Sequence, residues 1–112
     1  MEHFNEKDLK IIMSTGRTES EARRELNRGS YVMELQDFID YYRETPEEMK
    51  ASGEIDDDGY AEEVEYVERV ISAITETAEH IKNFSDEYFE AADEFNTVVN
   101  FDGKRYVIHW TL

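Results

Sequence analysis

A chain of 112 residues with a net charge of -16 and no cysteine has room for one domain, or for a small module with an appendage. The missing thiols exclude disulfides and thiolate metal sites, and so acidic a surface disfavours nucleic acid and anionic membranes while attracting basic protein surfaces. No signal-peptide pattern opens the chain, and no stretch nears the roughly 20 apolar residues of a membrane span, so a reducing, cytoplasmic setting is expected.

Asn5 is placed to cap a first helix, with Asp8 as its reciprocal partner; Leu9, Ile12 and Met13 form its apolar stripe and Gly16 stops it. Thr18 and Glu21 make a second capping box, with Ala22 and Leu26 on one face and Gly29 as the stop. A third helix is expected from Tyr31 or Val32, lined by Leu35, Phe38, Ile39 and Tyr42. Thr45, Pro46 and Glu48 read as the start of a short fourth helix that ends at Gly53. Beyond an acidic turn, Tyr60, Val64, Val67, Ile71, Ile74, Ala78 and Ile81 repeat at four-three spacing, a heptad-type seam. Tyr88, Ala92 and Phe95 keep the register, which predicts a helix over 60–95, continuous or kinked at Asn83 to Ser85.

The chain closes on a hairpin around Asp102-Gly103, with Phe101 facing Lys104, Val99 facing Tyr106 and Thr97 facing Ile108. One face carries Val99, Phe101, Tyr106, Ile108 and Trp110, and this aromatic face is expected to pack on the long helix. The other carries Val98, Asn100, Arg105, Val107 and His109, and His109 is expected to face outward. The fold class is therefore α+β and mostly α, with a helical module over 1–44 and an acidic helix plus hairpin over 45–112, together forming one compact unit.

Residues 6–39, EKDLKIIMSTGRTESEARRELNRGSYVMELQDFI, resemble a UBA-like three-helix module of the kind found in the nascent-polypeptide-associated complex alpha subunit. The residues that carry the resemblance are Asp8-Leu9-Lys10, Ile12-Met13, Gly16, Thr18, Glu21, Ala22, Leu26 and the Leu35 to Ile39 segment. Ubiquitin-binding members have adjacent Met, Gly and an aromatic after the first helix. Here Ser14 and Thr15 separate Met13 from Gly16, and Arg17 stands in the aromatic's place. The resemblance implies a compact protein adaptor rather than a ubiquitin receptor.

No motif points to catalysis: His3, His80 and His109 are scattered, and there is no HExxH, nucleophile elbow or phosphate loop. A non-enzyme is expected, with His80 facing solvent. The segment EIDDDGYAEEVE sets Glu54, Asp56, Asp58, Tyr60, Glu62 and Glu65 at the ligand offsets of an EF-hand calcium loop, with Gly59 at the bend. Calcium is thus the one candidate cofactor; the alternative is an acidic turn that favours the N-terminus of the next helix.

The distribution of charge is more telling. Residues 1–30 are neutral, 31–102 carry -18, and the last ten residues carry +2. In the helical register Glu62, Glu65, Glu76, Glu79, Asp86, Glu87, Glu90, Asp93 and Glu94 fall on the outer side, with Tyr66, Tyr88 and Phe89 as aromatic anchors. An ordinary surface mixes both signs, yet only Arg69 and Lys82 oppose the eleven acids between 60 and 95. In size, charge and want of catalytic motifs the chain resembles the small phage and mobile-element proteins that block nucleases, anti-CRISPR proteins among them. The expected function is a non-enzymatic inhibitor whose acidic face occupies the basic, nucleic-acid-binding cleft of a protein such as a CRISPR nuclease. The alternatives are a UBA-like adaptor and a single-loop calcium binder. A monomer is expected, with a dimer through the heptad seam only if the hairpin leaves that seam uncovered.

Overall fold

The computed structural model describes residues 5–111. Helices α1 (Glu6–Met13) and α2 (Glu19–Arg28) lead into strand β1 (Tyr31–Glu34), then α3 (Leu35–Ala51) and α4 (Asp57–Ile81). Strands β2 (Phe89–Ala91), β3 (Asn96–Phe101) and β4 (Lys104–His109) close the chain. The four strands form one antiparallel sheet in the order β1-β4-β3-β2.

The sheet is the middle of three layers. On one face Val99, Tyr106 and Ile108 pack with Leu9, Ile11, Ile12 and Ala22 of α1 and α2, joined by Phe101 and Trp110. On the other, Val98 and Val107 pack with Phe38 of α3 and with Val70, Ile74, Ala78 and Ile81 of α4. A further cluster of Ile39, Val67 and Ile71 joins α3 to α4. The hairpin register is as expected, and Asp102 (φ 52°) and Gly103 (φ 76°) supply the two left-handed turn residues. The faces are exchanged, however. The aromatic face covers α1 and α2, and the valine face covers the long helix. With Val98, Val99, Tyr106, Val107 and Ile108 all buried, β3 and β4 have apolar residues on both faces and need cover on both.

Three expected helices differ. Tyr31–Glu34 is a strand, because the edge of β4 away from β3 is open along Tyr106–His109 until Val32 and Met33 pair there with Ile108 and Val107. Helix α3 begins only at Leu35 and runs through Pro46 to Ala51, so residues 44 and 45 lie within one element. Pro46 stands mid-helix without the N–H that would bond the carbonyl four residues back, and its ring is fully buried. Helix α4 ends at Ile81 and does not reach 95. Its end is held from outside: the buried Asn100 Nδ2 donates to the carbonyl of Ile81 at 2.7 Å and reaches those of Phe84 and Ser85. Tyr88 and Ala92, in helical register by sequence, still join the sheet-face core, now from the positions just before and just after β2.

The local signals hold. Thr18 and Glu21 form the reciprocal capping box and Gly29 (φ 110°) caps α2 in the left-handed region. Asn5 caps α1 through the N–H of Lys7, without a reciprocal bond from Asp8. The heptad seam is buried from Val67 to Ile81 against α3 and the sheet, so the chain itself covers it. His109 does not face outward. It is half-buried, stacked on Tyr31 with centroids 5.0 Å apart, and its Nδ1 lies 2.9 Å from Asn96 Oδ1. No helix among the described residues is long and apolar enough to cross a membrane.

Candidate acidic binding face

The layers separate the charge. Residues 5–30, spanning α1 and α2, hold six basic and five acidic side chains. Residues 35–81, spanning α3 and α4, hold fifteen acids against Arg43, Lys50 and Arg69. Two of those three cations are consumed within the layer: Arg43 pairs with Glu68 at 3.1 Å and Lys50 with Asp57 at 3.2 Å. The molecule is therefore electrically lopsided, near neutral on one side of the sheet and strongly negative on the other.

Helix α4 positions the core of this face. Asp56 caps it by accepting from the N–H of Gly59 at 2.8 Å, and the acids of the first turn suit the helix dipole. Its inner side is fixed by Val67, Ile71, Ile74, Ala78 and Ile81, which forces Glu62, Glu65, Glu76 and Glu79 outward, and all four are exposed. The helix has 25 residues and so spans about 37 Å, over which one DNA strand places about 11 phosphates. Eight acids and Arg69 stand on that length. The acids fall into two groups, up to Glu68 and from Glu76 onward, and Ser72, Ala73 and Thr75 lie bare between them.

The nine predicted acids are thus spread over a helix, two turns and a strand, and they divide by engagement. Glu62, Glu65, Glu76, Glu87 and Glu94 have no side-chain partner among the described residues. Glu79 pairs with Lys82 at 2.7 Å, and Asp86 Oδ1 accepts from the N–H of Gly103 at 3.1 Å. Asp93 builds the β2–β3 turn: its Oδ1 accepts from the N–H of Phe95 at 2.8 Å and of Asn96 at 2.9 Å, and both its oxygens accept from Asn96 Nδ2. Glu90 lies beside His80, with 3.4 Å between Oε2 and Nε2. Asp86 and Asp93 thus hold turns together as well as charging the surface, which spacing along the chain could not reveal.

The aromatic anchors fare differently. Tyr66 and Phe89 are exposed, at 40% and 43%, whereas Tyr88 is half-buried and packs on Phe84 with centroids 4.5 Å apart. Tyr66 sits with Arg69, Ala73, Asp93, Glu94 and Phe95 around a shallow groove between α4 and the β2–β3 turn. Phe84, 44% exposed, is an aromatic that periodicity hid, because a continuous helix would have made it an ordinary surface position. Tyr42, under this face, has its phenol pushed strongly upward by burial and by the neighbouring Tyr66 hydroxyl, so it stays protonated.

The candidate calcium ligands are not gathered. Asp56 is a helix cap, and Asp58, Tyr60, Glu62 and Glu65 lie within α4, where an EF-hand requires an extended loop. The Tyr60 hydroxyl donates to Glu47, and no group of three or more acidic or histidine side chains among the described residues is arranged to hold a metal. Leu9, Ile12 and Ala22, on which the expected resemblance to UBA-like modules rests, are buried against β3 and β4. Comparison with family models, curated proteins and solved structures gave no match.

Proposed function

We propose that the protein is a non-enzymatic inhibitor that binds the basic, nucleic-acid-binding surface of another protein through its α3–α4 layer. One observation carries this reading: the exposed acids Glu62, Glu65 and Glu76 stand on a rigid 25-residue helix with no basic partner among the described residues. A layer maintained only for solubility has no need to leave such carboxylates unopposed on one side of a molecule whose other side is neutral. On a helix they present charge without backbone ordering cost, and the lysines and arginines of a phosphate-binding cleft are their natural complement. Tyr66 and Phe89 supply apolar area at the border of the acidic surface.

The mechanism is occupancy. Carboxylates take the positions of phosphates on the target's cations, and the bulk of the sheet and α3–α4 layer blocks the cleft. The protein acts as a monomer in this scheme, since the seam that could dimerise is used internally.

The test is calorimetry with the isolated target at rising salt. Glu62, Glu65 and Glu76 changed together to Gln should weaken binding by more than about tenfold and flatten the salt dependence. A triple variant that binds with unchanged affinity and unchanged salt dependence sinks the proposal.

A further inference from the structure

The end of the sheet offers a second surface. Strand β2 is outermost and has β3 as its one partner. Asn100 donates its N–H to the Tyr88 carbonyl at 2.8 Å, and Ala92 donates to the Asn96 carbonyl at 2.9 Å. The alternation of an antiparallel ladder therefore turns the N–H and C=O of Phe89 and Ala91 away from β3, toward the open edge. Both residues are exposed.

The two faces of this edge differ in chemistry. Phe89 lies opposite Val99, on the α1–α2 side, and 43% of it is exposed. Glu90 lies on the α4 side. Its Oε2 is the one buried side-chain polar atom among the described residues without a hydrogen-bond partner, and His80 Nε2 approaches it at 3.4 Å without hydrogen-bond geometry. Asp86, Glu87 and Glu94 flank the strand, and the nearby Lys82 is tied to Glu79.

Exposed edges invite strand addition, and charge decides by what. A second copy of this chain paired antiparallel about Glu90 would set Glu90 against its own counterpart and Glu87 against Asp93, which like-charge repulsion disfavours. An extended segment with basic side chains meets the opposite field. We propose that the β2 edge pairs with an extended segment of a protein partner in which basic and apolar side chains alternate. The basic ones lie on Glu90's face and the apolar ones on Phe89's, as the period of two along a strand requires. The inference shares the basic partner of the proposed function but not its α4 contacts.

The probe is a short peptide alternating arginine and valine, added to the full chain while amide exchange is followed residue by residue. The amides of Phe89 and Ala91 should become protected, and a peptide alternating glutamate and valine should leave them unprotected. Ala91→Pro removes a donor that β3 does not use and should weaken peptide binding by about tenfold or more. The wild-type exchange result stands even if that variant folds poorly. Protection should persist when Glu62, Glu65 and Glu76 are Gln, which separates failure at the edge from failure of the α4 face. Unchanged exchange at Phe89 and Ala91 in the presence of bound peptide overturns the inference. So does a dimer of the free chain that Ala91→Pro dissolves, since the occupant would then be a second copy.

Discussion

Single residues show where this small fold is held and where it is strained. His109 sits under Tyr31 and Phe38, and Asn96 Oδ1 fixes its Nδ1 while Asn96 Nδ2 is committed to Asp93. Burial lowers its pKa from the ordinary 6.5, although Asp93 opposes the shift. A histidine held neutral in the fold binds a proton more readily when unfolded. Its stabilising share is thus present above the ordinary value and is lost as pH falls through the folded one. As pH goes from about 7.5 to about 5, the urea midpoint of His109→Gln should fall less, or rise more, than that of the wild type. An equal slope in both proteins would contradict the assignment. Glu87 has a φ of 66°, a left-handed conformation that costs a non-glycine residue about 1 kcal/mol or more. Glu87→Gly should leave stability unchanged or raise it by up to about 1 kcal/mol, whereas Glu87→Val should lower it by at least as much, read from the same midpoints.

Among the elements, α4 and the sheet depend on contacts remote in sequence. Phe38 is fully buried between Tyr42 and Tyr31, so Phe38→Ala should cost about 3–5 kcal/mol of unfolding free energy. Asn100→Ala strips the side chain that holds the Ile81 carbonyl, with an expected loss of about 1–3 kcal/mol and faster amide exchange from Ile81 to Ser85. These long-range ties explain which elements could be read from the chain. The Thr18–Glu21 box, the Gly29 cap and the Asp102-Gly103 turn are local chemistry and were legible residue by residue. The end of α4 was legible only in part. Asn83 and Ser85 weaken a helix, but the decisive group is Asn100, brought by the hairpin. Strand β1 was hidden because Tyr31-Val32-Met33 suits helix or strand alike, and the choice falls to β4 far along the chain. The facing of the hairpin was hidden as well, since both of its sides are apolar enough to bury and only the position of α1 and α2 assigns them.

For the whole molecule, the layers turn a sequence-level excess of acid into a direction. The sequence located the charge after residue 30, but a continuous helix would have spread the nine candidate acids along one rod. The three-layer fold gathers charge on α3 and α4, and assigns Asp86 and Asp93 to turn-building. Glu62, Glu65 and Glu76 are left unopposed on the outer side. The proposed inhibitor function rests on that asymmetry, and its most direct measurement is displacement. The protein is used to capture its target from the source cell, and the nucleic acid still bound to that target is quantified. The account predicts that the wild-type chain holds a target stripped of nucleic acid, and that the chain with Glu62, Glu65 and Glu76 changed to Gln holds little of it. A captured target that keeps its nucleic acid and binds both chains alike would contradict it.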